Sequence, residues 1–350
     1  MKKIVIVGGG VAGKGLASTL SKKNVEAALV LIDPKEYFEV PYAELRALVQ
    51  PETFAPTIRQ SYKELLPGVT HVQGKVVTFS DTHVTLTNGE QIDMDYLVLA
   101  TGSSFKKWEL LKGEEPTIAE RQAQFVAEGE KLASAQSVLI VGGGTIGVEA
   151  AGEIAATWPS KRITLVHGGD RLLDALSEKM SKRAAKLLDQ LGVEVHTNLY
   201  LREQADGTWQ SKTGETFNAD VVYQAVGMNL NTEWIGPETG IPLTERRAVK
   251  VDDHLRVIGK QHIFAIGDIN DVPEVKLGAF AGQQATLTAK NLMALLKDPN
   301  ASLKPYKPNP PMGFVPVGQK KGAVQLPFGH PHFLIAIKQK DLLVSRTLGN

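Results

Sequence analysis

The 350-residue chain is 43% apolar and 22% charged, with a formal net charge of +1 and no cysteine. Its length predicts two domains and a small third, and its near-neutral balance gives no footing for a nucleic-acid partner. The missing thiols exclude a disulfide scaffold, a Cys₄ cluster, a thiolate nucleophile and a redox-active dithiol, so any redox chemistry must sit on a bound cofactor.

Taken from the N-terminus, Lys3-Ile4-Val5-Ile6-Val7 reads as a buried strand feeding Gly8-Gly9-Gly10-Val11-Ala12-Gly13, with a helical stretch from Lys14 to about Lys23 behind it. A second strand, Ala28 to Asp33, ends in a carboxylate twenty residues after Gly13. Strand, G-x-G-x-x-G turn, helix, strand and acid in this register form a dinucleotide-binding unit. Gly8 permits the tight turn, Gly10 lets the backbone approach a pyrophosphate, and Gly13 lets helix and strand pack closely. The helix start at Val11 and Ala12 offers free N–H groups to phosphates, and Asp33 accepts from an adenosine ribose. Asp95 to Ser103 is a further strand that leaves its sheet through Ala100-Thr101-Gly102.

The pattern then repeats. Ser137 to Val141 leads into Gly142-Gly143-Gly144-Thr145-Ile146-Gly147, a helix to about Thr157 and a strand from Arg162 to His167. The first glycines lie 134 residues apart, and His167 again falls twenty after the third glycine. This is an internal duplication of a βαβ nucleotide-binding module. His167 offers no carboxylate against a 2′-phosphate and Arg171 could pair with one, so this copy should accept NADH and NADPH alike. Glu149, two residues past the last glycine, either complements the helix dipole or lies beside a nicotinamide. Asp220 to Met228, with Gly227, is the exit strand of the second copy. Ile263 to Asp268 ends in Gly267-Asp268, suited to ribityl hydroxyls or to capping, before a helix from about Phe280 to Leu296.

With these pieces in place the chain resembles the two-dinucleotide-binding-domain flavoproteins, the FAD- and NAD(P)-dependent pyridine nucleotide oxidoreductases, over roughly residues 1–300. Within them it is most similar to the apoptosis-inducing-factor-homologous, ferroptosis-suppressor branch, related to type II NADH:quinone dehydrogenases. The match rests on Ala43-Glu44-Leu45-Arg46-Ala47-Leu48-Val49, on Gly144 to Glu149, on Leu165-Val166-His167 and on Lys338 to Ser345. The resemblance implies an α/β fold of two Rossmann-like domains with a small α+β cap, bound FAD, and NAD(P)H as donor to a ubiquinone- or vitamin-K-like quinone. It places Arg46 at the FAD pyrophosphate, the backbone near Lys75 at the adenine and Asp268 at the ribityl chain, with Lys35, Val76 and Leu277 completing the FAD set. Glu149 and Lys338 would flank the nicotinamide and quinone side of the flavin, Lys338 as the cation that offsets developing negative charge.

Departures narrow the expectation. Disulfide reductases carry a Cys-x₄-Cys pair where this chain reads Tyr37 to Tyr42, and the Ala-Gln-x-Ala-x-Gln quinone motif is here Gly278 to Gln283 with Ala279 in place of one glutamine. Two rival functions stay open: reduction of a small ferredoxin- or rubredoxin-like protein, and non-enzymatic NAD(H) sensing. The expected division is FAD-binding over 1–110 and 231–302, NAD(P)H-binding over 111–230, and a cap over 303–350 with strands at Ala323–Leu326, Phe333–Ile337 and Leu342–Ser345. Residues 301–350 hold seven basic groups against one acid, Asp341, which suits nucleotide phosphates, a membrane surface or simple solubility. Apolar runs fall short of the roughly 18–20 residues that span a bilayer. Met1-Lys2-Lys3 predicts no signal peptide, and Lys2 stands where myristoylation needs glycine, so the expected location is cytoplasmic, with peripheral membrane contact through the basic C-terminal segment left open, as monomer or homodimer. His330-Pro331-His332 reads as a turn rather than a metal site.

Overall fold

The computed structural model describes residues 1–105 and 107–349. Strand β1 (Lys2–Val7) runs through the first glycine turn into helix α1 (Val11–Lys22) and strand β2 (Ala27–Asp33). Helix α2 (Glu44–Val49) and strands β3 (Thr70–Gln73) and β4 (Tyr96–Leu99) follow. After helix α3 (Ile118–Ser134) the motif recurs as β5 (Ser137–Val141), α4 (Thr145–Thr157) and β6 (Arg162–Val166), then α5 (Glu178–Asp189), β7 (Glu194–His196) and β8 (Val221–Gln224). The chain returns through β9 (Ile263–Ala265) and α6 (Gly278–Lys297). It ends in a hairpin, β10 (Gly313–Val317) and β11 (Lys321–Gln325), and two short helices, α7 (Ile335–Gln339) and α8 (Val344–Leu348).

Two all-parallel sheets result, ordered β9-β4-β1-β2-β3 and β7-β6-β5-β8. In each, the strand before the glycine turn has its successor on one side and its exit strand on the other. The order therefore reverses at β1 and at β5, and open α/β sheets bind ligands in the crevice at that reversal. β1 is buried on both faces, with Ile4 and Ile6 in one apolar cluster and Val5 and Val7 in another. The first cluster continues through Leu48, Phe125, Ile140 and Ile154 to Val315, so one core spans both sheets and the hairpin. An antiparallel ribbon, Ser103–Phe105 against Met228–Leu230, joins the two segments that leave the sheets.

The C-terminal region departs from the expected strands. Residues 332–339 are a 3-10 turn running into α7, and Leu342 and Leu343 take φ of +51° and +59° before α8. A short all-apolar run does not distinguish strand from helix. Here the helical spacing buries Ile335, Lys338 and Gln339 and leaves Phe333 and Ile337 exposed. The expected strand at 323–326 overlaps β11, which begins two residues earlier and ends at Gln325. Helix α8 docks on the first unit, with Lys14 Nζ donating to the Thr347 carbonyl at 2.6 Å and the Tyr42 hydroxyl bonded to the Thr347 hydroxyl. No helix among the described residues is long and apolar enough to cross a membrane.

Candidate active site

The two glycine turns are built alike, atom for atom. Gly8 N–H donates to the Ile32 carbonyl at 2.8 Å and Gly142 N–H to the Val166 carbonyl at 2.7 Å. Both glycines have positive φ, +100° and +118°. A Cβ would lie 2.5 Å from the Ala100 oxygen in the first turn and 2.7 Å from the Ala225 oxygen in the second. A Cβ on Gly13 would overlap the Gly8 carbonyl, and one on Gly147 the Gly142 carbonyl. The strand-end residue also does the same work in both. Gly9 N–H donates to Asp33 Oδ2 at 2.6 Å, and Gly143 N–H donates to His167 Nδ1 at 3.1 Å. Asp33 and His167 are thus equivalent positions with different chemistry.

One cavity of 730 Å³ runs from the first turn to the start of the helix that follows the second. Its wall takes Gly8, Gly10, Val11, Ala12, Asp33 and Lys35 from the first unit, then Lys75 and Val76, and Ala100 to Gly102 from the exit strand. Gly267, Asp268 and Leu277 border it, and the second unit contributes Thr145, Ile146 and Glu149. Lys338 closes it with Met312 to Val315 of the hairpin. Helices α1, α4 and α6 all start at it, and their N-terminal caps, Gly10, Gly144 and Leu277, make no side-chain cap bond. The first N–H groups of three helices are therefore free to meet anionic groups. The bare glycine cradles, the strand-end carboxylate and this run of uncapped helix starts fit two dinucleotides.

Lys338 and Glu149 meet in this cavity. Lys338 Nζ lies 3.2 Å from Glu149 Oε1 and donates to the Phe314 carbonyl at 3.0 Å. Both side chains are buried, so Glu149 has a specific cation and is no mere complement to the helix dipole. Burial pushes the Glu149 carboxyl above its ordinary range, against the pull of Lys338. At the other flank, Asp268 Oδ2 accepts from Ser103 Oγ at 2.6 Å and Lys112 Nζ at 3.0 Å. Burial opposes its charge, but the Lys112 ammonium and the Ser103 hydroxyl hold its carboxyl below the usual value.

Other expected residues lie elsewhere. Gly13, Gly142 and Gly147 shape the turns from behind the cavity wall, Gly144 has open space where a Cβ would stand but does not border the cavity, and Gly227, with φ of +76°, turns the chain after β8. Arg46 does not reach the cavity. Its guanidinium grips Glu153 through Nε and Nη2 at 2.6 and 2.7 Å, because α2 packs against α4. Arg171 is committed too, donating to the carbonyls of Leu173, Asp174 and Leu176 and so closing the loop after β6. Gln283 is exposed beside Ala279 on the outer face of α6, away from the cavity. Its neighbour Gln284 is buried and was missed: Oε1 accepts from Gly267 N–H and Asn270 Nδ2, both at 2.8 Å, fixing the turn that carries Asp268. His330 bonds Ser177 Oγ and His332 Nδ1 accepts from Val324 N–H.

Fold and site together define a pyridine-nucleotide-dependent flavoprotein oxidoreductase. The chain belongs to the pyridine nucleotide-disulphide oxidoreductase family, whose model matches residues 2–285. It is 30% identical to apoptosis-inducing factor homolog A of Dictyostelium discoideum, over 99% of this chain and 90% of that one. It is 32% identical to ferroptosis suppressor protein 1 of Taeniopygia guttata, over 99% and 96%. The fold is shared with NDH2 from Plasmodium falciparum, solved in complex with NADH, at a TM-score of 0.76 and 15% identity over 99% of this chain and 98% of that one. FAD and NAD(P)H are the cofactors of the family, and a chain without cysteine performs none of the thiol chemistry in its name.

Proposed function

We propose that the chain is an FAD-dependent NAD(P)H:quinone oxidoreductase. Residues 1–110 and 231–302 would hold FAD, 111–230 NAD(P)H, and 303–350 the acceptor side. One observation carries the reading: a single cavity is bordered by the first glycine turn and by the start of the helix that follows the second, and is closed by the buried Lys338–Glu149 pair. Bound FAD supplies a two-electron relay, taking a hydride from the nicotinamide and passing two electrons to an acceptor. In balance, NAD(P)H, a proton and quinone give NAD(P)⁺ and quinol.

Negative charge builds on the quinone oxygens as electrons arrive. Lys338 holds an ammonium at the cavity wall to offset that charge, and Glu149 keeps the ammonium aimed inward. Leu176, Met312, Phe314 and Val315 give this end an apolar wall suited to a flat ring. Phe328, Phe333 and Ile337 of the same C-terminal segment are 81%, 77% and 60% exposed, which supports an acceptor reached from a membrane surface. The test is anaerobic turnover with NADH against a panel of quinones and small iron–sulfur proteins. Fast reoxidation by quinones supports the reading. Reoxidation by iron–sulfur proteins alone, or slow reoxidation by every acceptor, replaces it with electron transfer to a protein or with NAD(H) sensing.

A further inference from the structure

One buried charge cluster lies just behind the Lys338–Glu149 pair. Glu149 and Glu153 occupy successive turns of α4 and are only 5% and 2% exposed. Like charges four residues apart on a helix repel, the more so away from water. Each is matched from a different part of the chain: Glu149 by Lys338 of α7, and Glu153 by the two-pronged grip of Arg46 from α2. Arg46 Nη2 also donates to Gln339 Oε1 at 2.8 Å, and Gln339 Nε2 donates to the carbonyls of Gly318 and Lys321 at 2.7 and 2.9 Å. Gly152, between the two glutamates, has no room for a Cβ, which would lie 2.5 Å from the Gly318 nitrogen. The hairpin is thus pressed backbone to backbone on α4.

We propose that Arg46, Glu153 and Gln339 are positioning residues that set the charge of Glu149 and the placement of Lys338. This role rests on the reading of the Lys338–Glu149 pair given above. The set holds two anions and two cations, so three distant segments close on it without stranding a buried charge. The charged groups acting on Glu149 are Lys338 from α7, Arg46 from α2 and Glu153 from its own helix. Burial and Glu153 push its carboxyl up, while Lys338 and Arg46 pull it down. Gln339 follows Lys338 in the chain, so anchoring one to the hairpin and to Arg46 fixes the backbone that carries the other.

The test reads two quantities against pH: kcat/KM for NADH, and NAD⁺ dissociation from the FAD-loaded protein, followed without turnover by the flavin absorbance change. Arg46→Gln removes a cation and leaves Glu153 bare, so the acid limb of both profiles moves to higher pH. Glu153→Gln removes the neighbouring anion and moves it to lower pH. The double variant Arg46→Gln/Glu153→Gln restores the charge balance and returns the limb toward wild type. A merely structural role gives no such opposed shifts; unmoved limbs, or limbs that move the same way, overturn the proposal. Gln339→Leu covers failure of a charge variant to accumulate. It changes no charge, so the limb stays while kcat falls about tenfold through misplacement of Lys338, and a wild-type kcat overturns the proposal. Glu149→Gln separates the two failures. Wild-type turnover there sinks the catalytic pair, whereas an inactive Glu149→Gln with unmoved limbs in the charge variants sinks only the positioning role.

Discussion

Removing Lys338 should expose how much of its pairing with Glu149 is scaffold and how much is catalysis. In Lys338→Met, Glu149 stays buried with Glu153 one turn away and no ammonium beside it, and the Phe314 carbonyl loses its donor. Breaking a buried pair from one side costs about 3–5 kcal/mol, and an orphaned carbonyl about 1 kcal/mol more. For a protein of this size each kcal/mol moves Tm by roughly 2 °C, so a loss of about 8 °C or more is expected. In Glu149→Leu/Lys338→Met no charge is stranded, and replacing both partners by apolar groups is typically neutral or stabilising. The double variant should therefore melt within about 2 °C of wild type. Turnover should not recover, because the cation proposed to face the acceptor is gone, and such a donor is worth about 10²–10³ in rate. Flavin fluorescence melting and stopped-flow reduction and reoxidation read the two effects separately. A double variant that melts as low as the single ones refutes the charge bookkeeping. One that turns over like wild type refutes the catalytic role.

Arg171 is spent on three carbonyls and the Asp174 carboxylate stands 3.6 Å from His167, so a 2′-phosphate at this strand end meets an anion. One charge at such a distance near water is worth about 1 kcal/mol, so kcat/KM should favour NADH over NADPH by roughly fivefold, and Asp174→Asn should narrow the gap; equal use of both coenzymes contradicts it. Glu44 lies fully buried, its two oxygens accepting from Lys112 N–H at 3.1 and 3.0 Å, and burial with the Glu39 charge pushes its carboxyl up to about 8. A raised acid contributes stability below its ordinary value of 4.5 and loses it as pH rises through about 8. Glu44→Gln should accordingly match wild type at pH 5 and melt higher at pH 9; a constant Tm difference across that range rules out titration of Glu44. Gly13→Ala forces a methyl into the Gly8 carbonyl and should yield colourless protein, whereas Gly147→Ala should keep its flavin and weaken NADH binding by about tenfold or more. The opposite pattern would exchange the cofactors between the turns.

The glycine turns were legible because their information is local. A G-x-G-x-x-G turn, the strand before it and the strand-end residue lie within thirty residues, and backbone sterics dictate the spacing. What escaped the sequence was side-chain direction. Arg46 sits in a segment rich in family-like residues, yet its guanidinium turns to Glu153, a partner 107 positions away that only the packing of α2 on α4 brings near. Arg171 reaches no further than its own loop, since three carbonyls left open by that loop take its donors. A signal for the buried cluster was present in Thr145 to Thr157. Two glutamates four apart among alanines, glycines and β-branched residues mark a helix buried all round that must find two cations. The cap was misread for the opposite reason: Phe333 to Ile337 is apolar at every position, and only the polar pair after it, Lys338 and Gln339, hints at which face turns inward.

Two copies of one turn account for two nucleotides but not for where electrons go next. Near-identical geometry at Gly8 and Gly142 makes the ends that hold phosphates almost interchangeable, and what distinguishes the copies is small: Asp33 against His167 at the strand end. A larger asymmetry of packing and charge lies where the second copy meets the hairpin. There Gly152 strips away the side chain that would hold Gly318 off, and Glu149 and Glu153 bring charge to a helix that is otherwise small and apolar. A charged helix face can be covered only by a segment that supplies matching cations. Lys338 is such a cation, delivered from the C-terminal segment, and it is the one that also lines the cavity. The need to neutralise α4 thus places an ammonium on the cavity wall, so on the proposed reading the closure of the fold and the electrostatics of the reaction are met by one residue.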